Sequence, residues 1–171
     1  MPGRDFVEAH PEIQELARQW ISHPEPLSEA GFRPLFPLVE KVLKAALGLI
    51  GEDTTGATLI PLLQRCCGDR VQAFNLVFAC CDARARQIIS TMRSGVMHAD
   101  YSHDMDELRQ GGWNGTEAEY QRDILPHRLH TLYGSLNQIV RQVDPQTGRF
   151  AGPWQGGRAL CTSCKARGLS I

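Results

Sequence analysis

Arg93 and His98 stand with four residues between them in the stretch IISTMRSGVMHADY, residues 88–101. Histidine titrates near neutrality and can take a proton from a hydroxyl. Arginine stays charged and binds two phosphate oxygens through parallel hydrogen bonds. The pair has the residue types that cut a ribose-phosphate backbone by attack of a 2′-hydroxyl on the adjacent phosphate, with no metal. Ser94, Asp100 and Tyr101 adjoin it as helpers or structural neighbours. Spacing alone does not single the pair out, because Arg18/His23 and Arg122/His127 repeat it. Position does. Arg18/His23 falls beside Pro24 and Arg122/His127 straddles Pro126, whereas Arg93/His98 closes a long apolar-patterned segment and runs into polar sequence. On an unbroken helix, positions five apart diverge by about 140°, so the two converge only if the helix loosens at Gly95.

Two other groups carry ligand chemistry. His98, Asp100, His103, Asp104 and Asp106 form a dense His/Asp run that could hold a divalent metal. It has no apolar segment to fix it, so a solvated polar loop is the expected reading. Cys161 and Cys164 form a Cys-x-x-Cys couple in a Gly- and Arg-rich tail. A closed zinc site needs four ligands, and His127 and His130, sharing a helix face at i, i+3, would complete it. The alternative is a free tail with two thiols. The other cysteines, Cys66-Cys67 and Cys80-Cys81, read as small buried apolar residues. Trp113 and Trp154 lie outside the apolar stripes, where a lone Trp either stacks on a base or packs under a loop.

The elements that position these residues follow from helical periodicity. Pro11 opens a first helix whose inner face is Ile13, Leu16, Ala17, Trp20 and Ile21. The run at 24–37 holds four prolines and a glycine and reads as a connecting loop or a short irregular turn. A helix over 38–50 turns Val39, Val42, Leu43, Ala46, Leu47 and Ile50 inward, with Glu40 and Lys44 paired on the outer face and Gly51 as its C-terminal cap. A short helix follows at 58–67, then the longest pattern, 70–96. Residues 98–115 read as a loop with at most a short turn at 104–109. Thr116 and Glu119 form a capping box for a last helix, interrupted or restarted at Pro126 and lined by Leu129, Leu132, Leu136 and Ile139. No alternating strand pattern occurs. The expected fold is all-α: one four- or five-helix bundle over 1–143, with an irregular Gly/basic tail over 144–171.

Bulk properties narrow the function classes. Net charge is −1 with 22% charged residues, which argues against a dedicated basic nucleic-acid coat but not against local contact with RNA. No apolar run approaches the ~20 residues of a membrane span. The acid-containing N-terminal sequence MPGRDFVEAHPE lacks a signal-peptide core, so a cytoplasmic protein with no membrane partner is expected.

Residues 40–101 resemble the HEPN superfamily of helical ribonucleases found in toxin and phage-defence systems. The resemblance is carried by VEKVLKAALGLIGED as an early helix, LIPLLQ as a short second one, and Arg93-Ser-Gly-Val-Met-His98-Ala-Asp-Tyr101 closing a long helix. Members carry an Arg-x4–6-His motif, and Ser94 departs from their usual Asn, Asp or His. The resemblance implies a homodimer that cuts RNA without a metal, its two motifs facing across a shared cleft. Arg93 and His98 would be catalytic, in a toxin–antitoxin or antiviral setting with an antitoxin or other protein partner. Some members have lost catalysis, so the competing expectation is a non-catalytic helical interaction module with a tail stabilised by structural zinc.

Overall fold

The computed structural model describes residues 11–23, 29–49, 51, 53–65 and 83–149, with no strand or sheet among them. Helix α1 is Pro11–Ser22, a short turn α2 is Glu29–Phe32, α3 is Leu35–Leu49 and α4 is Leu59–Arg65. Then come α5, Ala83–His98, and α6, Ser102–Gln110. The last rod starts as α7, Glu117–Glu119, widens into a π-helical turn over Tyr120–Ile124, and continues as α8, Leu125–Val140. The fold is all-α. The segments expected at 66–82 and 150–171, including Cys66, Cys67, Cys80, Cys81, Trp154, Cys161 and Cys164, lie outside the described residues.

Helix α8 packs on α5 and α3, α1 packs on α3, and α4 and α2 each bridge α3 and α5. The expected faces meet there: Ile13, Trp20, Val39, Leu43, Leu132 and Leu136 are all essentially inaccessible. Burying each such side chain stabilises the fold by roughly 1.5–3 kcal/mol. Trp20 also satisfies its polar edge, donating from Nε1 to Asn137 Oδ1 at 2.8 Å and stacking on Tyr133 with centroids 5.8 Å apart. Ile21, expected on the inner face, is instead 44% exposed.

Two stretches expected as loops or short turns carry more helix than that. Within 24–37 the chain forms α2 and enters α3 at Leu35, three positions before the expected start at 38. Phe32, Leu35 and Phe36 are buried. Pro37 is tolerated because it falls in the first turn, where a backbone N–H has no helical partner to lose. Within 98–115 the nine residues of α6 replace the loop and pack on α5, with Asp104 and Met105 buried and Asp104 bonded to Tyr120 and Arg128 of the last rod. As expected, the rod is interrupted before Pro126: the α-helix gives way to the π-helical turn and restarts at Leu125, with the proline in its first turn. The N–H of Leu125 reaches Tyr120 O, a wide turn that carries the helix past the missing donor of proline.

The turn at 144–149 stays on the bundle. Asp144 N–H donates to Arg149 O at 2.8 Å, Gly148 N–H donates to Asp144 O at 2.8 Å, and Gln14 Nε2 donates to Gln146 O at 2.5 Å. No helix among the described residues is long and apolar enough to cross a membrane.

Helix α5 ends in a tight reversal. Ala99 takes a left-handed φ of 50°, and Asp100 N–H reaches back to Gly95 O at 3.1 Å. This cap geometry favours glycine, because a Cβ in left-handed backbone costs about 1–2 kcal/mol. Ala99→Gly is therefore expected to raise unfolding stability by about 1 kcal/mol in urea titration. A variant less stable than wild type would contradict the strained cap.

Candidate active site

Gly95 does not loosen the helix. Helix α5 runs through it to His98, and the absent side chain makes room for a neighbour. A Cβ at Gly95 would lie 2.6 Å from Tyr101 Cδ1 and 2.8 Å from Cε1, so the Tyr101 ring rests directly on the helix backbone. This contact folds the chain back after the left-handed turn and fixes the end of the helix that bears His98.

Because the helix is continuous, Arg93 and His98 point about 140° apart around its axis. His98 is exposed on the last turn. Arg93 is half-buried and faces α3, its Nη2 4.0 Å from Glu40 Oε1. Its Nε is buried and has no hydrogen-bond partner among the described residues. One chain thus does not bring the two candidate catalytic side chains to a common point.

Glu40 is the residue that sequence reasoning misplaced. Instead of pairing with Lys44 on an outer face, its Oε1 accepts from Leu59 N–H at 3.1 Å and faces Arg93. One half-buried carboxylate therefore caps α4, lies on α3 and restrains the arginine on α5. A carboxylate near the first N–H groups of a helix suits the partial positive charge there.

The supporting residues are brought together. Ser94, Asp100 and Tyr101 line a hollow of about 180 Å³ between α5 and α6, with Ser90, Thr91, His103 and Asp104. The Asp100 carboxyl sits below the usual carboxylate range because Ser102 N–H and then the Ser102 side chain donate to it, with a smaller contribution from nearby His98. Its Oδ1 accepts from Ser102 N at 3.0 Å, tying it to the first turn of α6. His103 turns along its own helix, its Nε2 3.2 Å from Glu107 Oε1. The His/Asp run does not assemble a metal site. Among the described residues no group of three or more His, Cys, Asp or Glu is placed to hold one. Within the candidate zinc set, His130 is buried on α8 and His127 half-buried, while Cys161 and Cys164 lie outside the described residues.

Behind the hollow is a polar network that the sequence did not announce. Asp104, 5% exposed, accepts on Oδ2 from Tyr120 Oη at 2.6 Å and from Arg128 Nε at 3.2 Å. Tyr120 is packed between Tyr101, at 5.9 Å between centroids, and Trp113, edge-on at 6.3 Å. Arg109 lies over the Trp113 ring at 5.7 Å. Trp113 therefore packs under the α6–α7 loop and is not free to stack on a base.

Burial, and then the hydrogen bond to Asp104, push the Tyr120 phenol well above its ordinary value. Burial, and then the neighbouring Glu29 carboxylate, do the same to Tyr101, whose hydroxyl completes no hydrogen bond of regular geometry among the described residues. A raised phenol favours the protonated form in the folded state. That stabilisation is complete below about pH 10 and is lost as pH rises toward the folded-state values. In an alkaline titration followed by phenolate absorbance, the Tyr101 and Tyr120 signal should appear only together with unfolding. Smooth ionisation of all three tyrosines near pH 10 in a folded chain would refute that burial.

Comparison with protein-family models, curated proteins and solved structures finds no match to this chain.

Proposed function

We propose that the chain is a metal-independent endoribonuclease of the HEPN type, acting as a homodimer. The observation that supports it is the open His98 at the fixed end of α5, with Arg93 restrained by Glu40 five positions before it. His98 takes the proton of the ribose 2′-hydroxyl. The 2′-oxygen then attacks phosphorus, the bond to the 5′-oxygen breaks, and a proton passes to that leaving oxygen. Arg93 neutralises charge on the non-bridging oxygens through the part of its guanidinium that remains open to solvent. Since one helix presents the two on different faces, the second copy supplies the facing motif and closes the cleft. A cytoplasmic toxin–antitoxin or antiviral role, with an antitoxin or other protein partner, follows from the same resemblance.

The Arg93–Glu40 pair also favours a second reading, because it keeps the guanidinium engaged inside the fold. On that reading the chain is a non-catalytic helical interaction module, its tail stabilised by structural zinc. End-group analysis of RNA incubated with the full chain separates the two. The ribonuclease reading requires fragments with 2′,3′-cyclic phosphate and 5′-hydroxyl ends. Intact RNA supports the module, and 5′-phosphate ends would demand different chemistry.

A further inference from the structure

A second hollow, of about 430 Å³, opens between α2 and the start of α8. Ala30, Leu125, Pro126 and Leu129 give it apolar walls, and Glu29, Arg33 and Gln121 supply its polar groups. Arg33 N–H donates to Glu29 O at 3.2 Å, so the two residues stand one helical turn apart. At that step their Cβ atoms lie about 5–6 Å apart, a spacing at which Glu and Arg ordinarily pair. Here they do not. Arg33 instead donates from Nε to Val96 O at 3.3 Å, and neither residue forms an ion pair among the described residues. Behind them the buried Tyr101 hydroxyl feels both charges and completes no hydrogen bond of regular geometry among the described residues. Gln121 adds a backbone acceptor. The Leu125 N–H that an α-helix would give to Gln121 O goes to Tyr120 O, and Pro126 has no N–H to replace it.

An apolar space with a carboxylate and a guanidinium side by side, neither neutralised by the other, suits an occupant that carries both charges. A simple anion would meet Arg33 and be repelled by Glu29, and a simple cation would face the reverse. A neutral ligand would leave both groups without a partner. We propose that this hollow binds a free α-amino acid with an apolar side chain. Its carboxylate takes the guanidinium of Arg33, whose Nη nitrogens donate to no described residue. Its ammonium has three donors to divide between Glu29 and Gln121 O. Its side chain rests on Leu125, Pro126, Leu129 and Ala30, away from water. The volume falls within the range of small-molecule sites. None of these residues belongs to the proposed cleavage chemistry, so the site stands whether or not the chain cuts RNA.

Ligand-observed NMR on the full chain tests this with L-leucine and two blocked forms of it. Leucinamide lacks the carboxylate and N-acetylleucine lacks the ammonium. Leucine should bind with a millimolar or lower dissociation constant, and each blocked form at least about tenfold more weakly. L-Glutamate should also bind more weakly, because its charged side chain would meet apolar walls. Glu29→Gln and Arg33→Gln should each weaken leucine about tenfold. Arg33→Gln also disturbs the bond to Val96 O, whereas Glu29→Gln breaks no ion pair and keeps the test open if the other variant unfolds. Ala30→Phe, at an exposed position, should fill the hollow and abolish binding in a folded chain. No leucine binding at millimolar concentration, equal binding of either blocked form, or wild-type affinity in Glu29→Gln would each overturn the site. The readout uses no RNA, so its failure is distinct from failure of the ribonuclease reading.

Discussion

Replacing Arg128 with methionine is expected to lower unfolding stability by about 2–3 kcal/mol, although the residue lies one-third open to solvent. An ordinary surface ion pair contributes only about 0–1 kcal/mol. The difference lies with the partner. Asp104 is inside the fold, and its carboxylate is paired with Arg128 and accepts from the hydroxyl of Tyr120. Methionine fills similar volume but supplies no donor, so the buried anion is left with one hydrogen bond in place of two. Partial exposure of Arg128 holds the expected loss below the 3–5 kcal/mol of a fully buried broken pair. For a chain of this length the fall corresponds to about 5–10 °C in melting temperature. The double variant Asp104→Asn/Arg128→Met should recover part of the loss, since a neutral amide needs no counter-ion. A single-variant loss under about 0.5 kcal/mol would place the pair with ordinary surface bridges.

The largest effects on activity belong to the two residues of the proposed chemistry. His98→Ala should reduce single-turnover RNA cleavage by about 10²–10⁴-fold, the range for loss of a positioned general base. Arg93→Ala should cost about 10²–10³-fold, as for one lost donor to developing phosphate charge. Both should leave stability nearly intact if their part is chemical. For His98 this follows from its exposure on the last turn. For Arg93 the half-buried pair with Glu40 adds a modest structural loss. Glu40→Gln keeps the cap on Leu59, because the amide oxygen still accepts, but releases Arg93 from its counter-charge. It should therefore slow cleavage by a smaller factor than Arg93→Ala while unfolding like wild type. Equal losses in all three, each tracking a drop in melting temperature, would reduce the site to a structural knot.

Legibility in the sequence followed the range of the forces involved. Helices α1, α3 and α8 carry their buried residues at steps of three and four, and a local pattern suffices to find them. Helix α6 does not. SHDMDELRQ offers only Met105 and Leu108 as apolar contacts, and its most buried polar residue, Asp104, depends on Tyr120 and Arg128, sixteen and twenty-four positions away. Proline misled in the opposite direction at 24–37, because Pro37 in the first turn of α3 marks a helix and not a loop. Gly95 was legible as unusual, but its reason was not: the Tyr101 ring that needs the space arrives through the left-handed turn at Ala99. Glu40 was read from its i, i+4 neighbour, whereas its partners belong to α4 and α5. The supporting set of Ser94, Asp100 and Tyr101 was found from adjacency to the motif, and the hollow they line came from the chain reversal between α5 and α6.

The most direct measurement is cleavage of labelled RNA by the purified full chain in excess EDTA, with Arg93→Ala and His98→Ala alongside. Cutting that survives the chelator and is lost in both folded variants is the predicted result. Cutting abolished by EDTA, cutting retained by either variant, or no cutting by the wild type would contradict a metal-independent site built on Arg93 and His98.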